Sequence, residues 1–389
     1  MDSNDVMGLF LERLNAACPR RKSGRLVKLL LVAVGREPNV LVLRLRGTTK
    51  VFRIYDEGLS NFCECLAEGS AALMHGYSNG LYDTPDLYEL LLALWSFQRV
   101  VRFFSPAKVA TQRKAGTRGN NRDVALHYDL PVELFHSFLG SHMAYSSTST
   151  SSGFANISLS YKQSYQQILA ELNLSPRSLV IDLGCGWGAF LKYVLATTDH
   201  DVIGVTISPT QADFISKQIN SKRCSILLGD FTEASTLPSE GDGLVLMESL
   251  EHVDPCQRTS FLRMLRKQYP TSRVVIQATT VSPLDRILRG NRSTVLTSVV
   301  FPGPGQIPDI RSIRTAASAA HYRVLTVRDI STEYRDILLS WFTTFEVNKN
   351  RLHHFPSAFI RAWSFYLAGL ASANESGRTH SFQILMEPL

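Results

Sequence analysis

Asp182 stands two residues before the first of three glycines at alternate positions in Leu179-Val-Ile-Asp-Leu-Gly-Cys-Gly-Trp-Gly-Ala-Phe190. The apolar run up to Leu183 reads as a buried strand and the residues beyond Gly188 as a helix, which makes Gly184, Gly186 and Gly188 the turn between them. Positions without side chains let a ligand lie against the backbone, and a helix start offers unpaired N–H groups. Together they describe a nucleotide-type site at the carboxyl end of a first strand in an open α/β sheet. The spacing is not the Gly-x-Gly-x-x-Gly of a pyrophosphate binder. A shorter loop preceded by a carboxylate suits S-adenosylmethionine, a cationic sulfonium with no phosphate. Cys185, inside the turn, reads as a small residue and not as a nucleophile, because no partner base accompanies it.

Further groups with chemistry follow at the ends of later strands. Sites that bind ribose hydroxyls usually carry an acid at the end of the second strand. Here that strand ends Gly204-Val-Thr-Ile-Ser208 without one, and Thr206 and Gln211 take its place. Asp230, in Gly229-Asp-Phe231, is either an acceptor for an adenine amino group or a turn residue. The fourth strand leads into Glu248-Ser-Leu-Glu-His252. Glu248, three residues before Glu251, either shares a helix face or loop with it or is an ordinary exposed acid, the reading preferred here, and His252 is either a loop-orienting residue or a proton handler. No Asn/Asp-Pro-Pro-aromatic segment stands there, which argues against methylation of nucleic acid and against a nucleic-acid partner.

These residues need a sheet to position them. Strands are expected at Ser178–Leu183, Asp201–Ile207, Ser225–Leu228, Gly243–Met247 and Arg273–Ala278, with helices after most of them, the pattern of a doubly wound parallel α/β sheet. The first hundred or so residues read as a smaller α+β module. Within it, Val40–Arg46 and Val51–Tyr55 pair as a hairpin. A helix over Leu87–Trp95 has Asp83 or Thr84 as its cap and Pro85 in its first turn. Leu29–Val34 is a strand or a core helix. The segment between Ser105 and Asp123 is rich in Gly, Asn, Lys and Arg, so the chain divides into 1–105, a basic linker 106–122 that could also serve as a lid, and 123–389. The aromatic residues of the tail, from Tyr334 through Trp341, Phe345, Phe359 and Trp363 to Tyr366, fall at helical spacing and read as core.

The 389 residues are 44% hydrophobic and 19% charged, as in ordinary globular proteins. A net charge of +7 favours an anionic partner, and Arg20, Arg21, Lys22, Arg25 and Lys28 suit an anionic lipid surface or a plain solvated face. No apolar run reaches the roughly 20 residues of a membrane-spanning helix. Asp2 and Asp5 stand where a secretory signal would be basic. The six cysteines show no paired metal spacing, so no metal site is expected and the thiols read as reduced. The expected location is the cytoplasm, with peripheral attachment to a membrane.

Several segments now converge. His127-Tyr-Asp-Leu130, Met143-Ala-Tyr-Ser-Ser147, Asp182-Leu-Gly-Cys-Gly-Trp-Gly188, Gly204-Val-Thr-Ile-Ser208 with Gln211, and Glu251-His-Val253 occur in the order and spacing of cyclopropane fatty acid synthases, a group that includes the mycolic acid cyclopropane synthases. The chain resembles that family over about residues 123 to 389. Residues Gly76 to Leu94 resemble the N-terminal domain found fused to many of these enzymes. The resemblance implies a class I methyltransferase with a Rossmann-like sheet. It implies a cofactor site made of Tyr145, Ser146, Asp182, Gly184, Cys185, Gly186, Trp187, Gly188, Thr206, Ile207, Gln211, Asp230 and Phe231. His127 is either near that cofactor or a packing residue.

The implied reaction is S-adenosylmethionine-dependent transfer of a methyl or methylene group to the double bond of an unsaturated acyl chain, in a phospholipid. The alkene attacks the sulfonium methyl, and the resulting carbocation must lose a proton to close a ring. In the family the base is understood to be bicarbonate, held by a Glu, a Tyr, a His and backbone beside a Cys. Glu251 and Tyr334 match the first two, with His252 adjoining. Ser147 stands in place of the Cys and Gln277 in place of the His. Both can donate to an oxyanion, but the changes open a second outcome, a methyl branch in place of a ring. The alternatives are a methyltransferase for a non-lipid alkene or enol, and a protein that binds lipid or cofactor without catalysis. A homodimer is compatible with the pattern.

Overall fold

The computed structural model describes residues 7–9, 11, 12, 15, 31–46, 48–97, 127–149, 156–282, 300 and 306–389. The basic cluster at 20–28 and the expected linker 106–122 lie outside the described residues. Contacts divide the chain into two compact units that are not linear in sequence. One comprises Met1–Arg118, Leu284–Pro302 and Trp341–Arg378; the other comprises Gly119–Pro283, Gly303–Ser340 and Thr379–Leu389. A division into 1–105 and 123–389 does not coincide with this partition, because residues 341–378 fall with the N-terminal segment.

In the first unit, β1 (Leu31–Glu37), β2 (Val40–Leu45) and β3 (Val51–Tyr55) form an antiparallel sheet in that order. The expected hairpin is β2–β3, and residues 31–34 of the run ending at Val34 lie in β1. Helices α1 (Leu59–Glu68), α2 (Ser70–Ser78) and α3 (Leu87–Ser96) follow. The cap of α3 is Asp86, whose side chain accepts from Glu89 N at 3.0 Å, and not Asp83 or Thr84 as expected. Pro85 disfavours helical geometry at Thr84, and Asp86 is itself extended, so the helix begins only beyond the proline. Thr84 donates instead to Arg53 O at 2.7 Å.

The second unit carries, in chain order, α4 (Val132–Leu139), α5 (Ile157–Leu172), β4 (Leu179–Leu183), α6 (Ala189–Thr197), β5 (Asp201–Thr206), α7 (Pro209–Gln218), β6 (Cys224–Leu228), β7 (Gly243–Met247), α8 (Arg258–Gln268), β8 (Arg273–Val281), α9 (Ile310–Ala319), β9 (Tyr322–Asp329) and β10 (Thr379–Pro388). The sheet order is β6-β5-β4-β7-β8-β10-β9. Strands β4 to β8 run parallel, and β10 lies antiparallel between β8 and β9. This is the doubly wound α/β sheet expected. Its strands are short continuous apolar runs because both faces are covered. Ile181, Leu183, Val205, Leu244, Leu246, Val274, Ile276 and Ile384 are fully buried, joined by Phe261, Leu262 and Leu265 of α8 and Ile313 of α9. Each such side chain contributes roughly 1.5–3 kcal/mol by leaving water.

Helix α10 (Ser331–Asn348) spans the boundary between the units, and α11 (Ser357–Glu375) belongs to the first. Their aromatic residues Tyr334, Trp341, Phe345, Phe359, Trp363, Phe365 and Tyr366 are buried, in line with the expectation that the tail aromatics are core.

Candidate active site

The parallel strands end on one edge of the sheet, and a cleft opens there. Its walls come from the ends of four strands: Gly184 and Gly186 after β4, Thr206 and Ile207 at β5, Asp230, Phe231 and Thr232 after β6, and Met247, Glu248, Ser249 and His252 after β7. Tyr128, Tyr145 and Gln211 complete the lining. A cleft at the carboxyl ends of strands on either side of the order reversal is where open α/β sheets bind ligands.

The glycine turn is built by backbone geometry. Gly184 has φ 89°, and a Cβ there would meet Ser249 Cβ at 2.7 Å; Gly188, at φ 79°, would meet Ile215 at 2.9 Å. Both positions therefore exclude other residues on conformation and on space. The N–H groups of Gly184 and Cys185 both donate to Val205 O, at 2.9 and 3.0 Å, which ties the turn to β5. Trp187 packs its ring against Phe135 and Phe214, with centroids 4.9 and 5.3 Å apart. Burial holds the Cys185 thiol well above its usual pKa, which supports the reading of it as inert. Asp182 is 1% exposed, and neither of its carboxylate oxygens has a donor among the described residues. Burial raises its pKa to about 7.

The β5 end is organised by side-chain hydrogen bonds. Thr206 Oγ1 donates to Gln211 Oε1 at 2.7 Å and accepts from Ser208 N at 3.2 Å. Ser208 caps α7 by accepting from Gln211 N at 3.1 Å, and its hydroxyl donates to Asp129 Oδ1 at 2.5 Å. Gln211 is thus fixed with its buried Nε2 left without an acceptor among the described residues. Asp230 does what a turn residue does: Oδ1 accepts from Thr232 N and Thr232 Oγ1, at 2.8 and 2.7 Å, while the residue still lines the cleft.

Opposite lies an acidic wall that local sequence does not announce. Glu248, expected to be an exposed acid, is half-buried and lines the cleft. The reason is its backbone: φ 52° turns the chain back after β7, and Glu248 N donates to Gln277 O at 2.8 Å. Thr279 on β8 then binds both acids. Its N–H meets Glu248 Oε2 at 3.1 Å and Glu251 Oε1 at 2.5 Å, and its hydroxyl donates to Glu248 Oε2 at 2.7 Å. Burial, and then the neighbouring Glu248 charge, push the Glu251 carboxyl well above the usual carboxylate range. Tyr334, at the start of α10, lies close enough to both acids and to Tyr145 that their charges add to the burial that raises its phenol. Beside them Tyr128 Oη and His252 Nε2 are 2.8 Å apart. Burial lowers His252 to about 4, so this imidazole is neutral near neutral pH.

Of the expected cofactor residues, Tyr145, Gly184, Gly186, Thr206, Ile207, Gln211, Asp230 and Phe231 line the cleft. Ser146, Asp182, Cys185, Trp187 and Gly188 lie behind that lining as buried residues or as the turn itself. His127 is buried, stacked on Tyr145 and edge-on to Tyr128 and Phe135. Of the expected catalytic residues, His252 lines the cleft, with Glu251 and Tyr334 adjoining through Glu248. Ser147 is fully buried, its hydroxyl without a partner among the described residues. Gln277 Nε2 points away into a polar ladder, donating to Gln383 Oε1 at 2.8 Å and Ser164 Oγ at 3.4 Å. Sequence reasoning gave no role to Thr279 or Tyr128. Only the two-residue offset from Gln277 on one strand could have placed Thr279 on the same face.

Residues 116–384 match the family model described as mycolic acid cyclopropane synthetase. The cyclopropane-fatty-acyl-phospholipid synthase of Escherichia coli is 25% identical over 336 residues, covering 83% of this chain and 85% of its own. Cyclopropane mycolic acid synthase 3 of Mycobacterium tuberculosis is 26% identical over 279 residues, covering 68% of this chain and 96% of its own. Among solved structures, a cyclopropane synthase from Mycobacterium tuberculosis shares the fold at a TM-score of 0.63 and 21% identity, over 70% of this chain and 99% of that one. A mycolic acid cyclopropane synthase complexed with SAH and CTAB aligns at 0.63 and 22%, over 69% and 99%. With the family model spanning most of its length, the chain belongs to the mycolic acid cyclopropane synthetase family.

Proposed function

We propose that this protein transfers a one-carbon unit from S-adenosylmethionine to the double bond of an unsaturated acyl chain, in a phospholipid met at an anionic membrane surface. The observation that carries the reading is the pairing, at one cleft, of a glycine turn for an adenosyl donor with two carboxyl groups held side by side by Thr279. The donor fits the residues present. Gly184 and Gly186 leave the backbone accessible, Gln211 Nε2 and Ser249 Oγ are polar atoms awaiting partners, and buried Asp182 supplies a negative charge behind the turn for a positively charged ligand. When bound, S-adenosylmethionine supplies an electrophilic methyl on a good leaving group.

The chain's own groups do the rest. Tyr128, Tyr145 and Phe231 give the cleft aromatic walls, which tolerate a transient carbocation and exclude water. The carboxyl pair Glu248 and Glu251, with Tyr334 beside it, supplies the acid–base chemistry next to the reacting carbon. Peripheral attachment is supported by the net charge of +7 and by the absence, among the described residues, of a helix long and apolar enough to cross a membrane.

The test is incubation with trideuteromethyl donor and vesicles of unsaturated, partly anionic phospholipid, followed by mass spectrometry of the acyl chains. Label on the chains, with two deuterons and no double bond for a ring or three for a branch, is the expected result. Label on small alkenes and none on vesicles would overturn the lipid assignment.

A further inference from the structure

Glu248 lines the cleft in an uncommon backbone conformation. Its φ of 52° is a conformation that costs a non-glycine residue energy. That geometry turns its carboxylate into the cleft, beside another acid. Because one N–H of Thr279 meets an oxygen of each, the two carboxyl groups sit side by side. Glu248 Oε1 and Glu251 Oε2 are both buried with no donor among the described residues. Two carboxylates so close repel one another, and a proton shared between them would relieve that repulsion.

Bicarbonate, the base the family resemblance implies, does not fit this arrangement. Gln277 gives its amide hydrogens to Gln383 and Ser164 and offers the cleft no donor. Glu248 meanwhile adds negative charge where a second anion would have to sit.

Resting on the function proposed above, we infer that Glu248 is the base of the reaction, acting as the ionised half of the Glu248–Glu251 pair. Once the methyl carbon is joined to the acyl chain, the adjacent chain carbon carries the positive charge. A C–H pair of the new methyl forms the second ring bond, and the proton passes to the Glu248 carboxylate. Glu251 keeps its own proton and keeps its neighbour ionised. Thr279 positions both, and among the described residues Tyr128, Tyr145, Tyr334 and His252 are the other titratable groups around the pair.

Two variants and two readouts test this. Glu248→Gln keeps the shape, and Glu248→Gly removes the carboxylate while relieving the backbone. In both, ring product falls about a hundredfold or more, and whatever label is still transferred shifts to three-deuteron branched chains. Depleting bicarbonate from wild type changes nothing. Independently of turnover, infrared titration of cofactor-free protein carrying isotope-labelled glutamate shows a protonated glutamate near neutral pH, whose ionisation moves to lower pH in Glu248→Gln. Ring closure at the wild-type rate in either variant, or loss of activity on bicarbonate depletion, overturns the assignment of the base. Absence of the protonated glutamate in wild type overturns the pair itself. Wild type that shows the protonated glutamate but labels no lipid contradicts the proposed function and, with it, the base, while the shared proton stands.

Discussion

The two walls of the cleft are built by opposite means. The glycine wall is local: Asp182, Gly184, Gly186 and Gly188 lie within seven consecutive residues, and their geometry follows from a strand, a turn and a helix start. The acidic wall is assembled across the chain. Glu248 and Glu251 follow β7, Thr279 comes from β8, Tyr334 from α10 and Tyr128 from the start of the unit. The local wall carries its strain in glycines, where it costs little. The assembled wall carries it in a glutamate, held there by the Gln277 carbonyl and by Thr279. The contrast implies a division of labour, with donor binding on one side and chemistry on the other.

The largest effect on the glycine wall is expected from Gly184→Val. At φ 89° and 2.7 Å from Ser249 Cβ, a branched side chain has no place. Calorimetric titration with S-adenosylmethionine is expected to show binding weakened by about a hundredfold or more, given strain of roughly 1–3 kcal/mol plus the overlap. Binding within a few-fold of wild type would show that the turn does not hold the donor.

Asp182→Asn separates the walls through pH. The folded value of about 7 lies above the unfolded 3.8, so the folded chain keeps a proton that the unfolded chain gives up. The contribution of Asp182 is fully favourable below the lower value and is lost as pH rises to the upper one. Asparagine does not titrate. The stability advantage of cofactor-free Asp182→Asn over wild type should therefore grow from pH 4 to pH 8, towards about 4 kcal/mol. His252, lowered to about 4, has the opposite slope but is shared by both proteins and cancels. Melting curves across that range check this; a difference that does not change with pH would mean Asp182 has a partner in solution.

Thr206→Val is the smallest of these perturbations. It removes the 2.7 Å bond that orients Gln211, worth about 1 kcal/mol, and should weaken donor binding about fivefold without changing the ratio of products. A changed product ratio would break the separation between the walls.

The same contrast explains what could be read from sequence. The parallel strands were legible because each is a short apolar run ending at a chemically distinctive residue, and the glycine turn because its spacing is contiguous. The Asp86 cap was obscured by Pro85, with Asp83 and Thr84 equally able to cap on type alone. Glu248 was misread because exposure depends on a backbone dihedral that no residue type beside it encodes. Gln277 was expected as a donor into the site; its amide is taken by Gln383, which is more than a hundred residues away in sequence and adjacent only through the β8–β10 pairing.

The central claim is that the two walls do separable work, and Glu248→Gln tests it most directly. Donor affinity by calorimetry and single-turnover transfer of labelled methyl to unsaturated phospholipid would be measured on the same preparation. The account predicts donor binding within about twofold of wild type and ring formation reduced by roughly 10²–10⁴-fold. Donor binding lost in parallel with turnover, or turnover preserved, would contradict it.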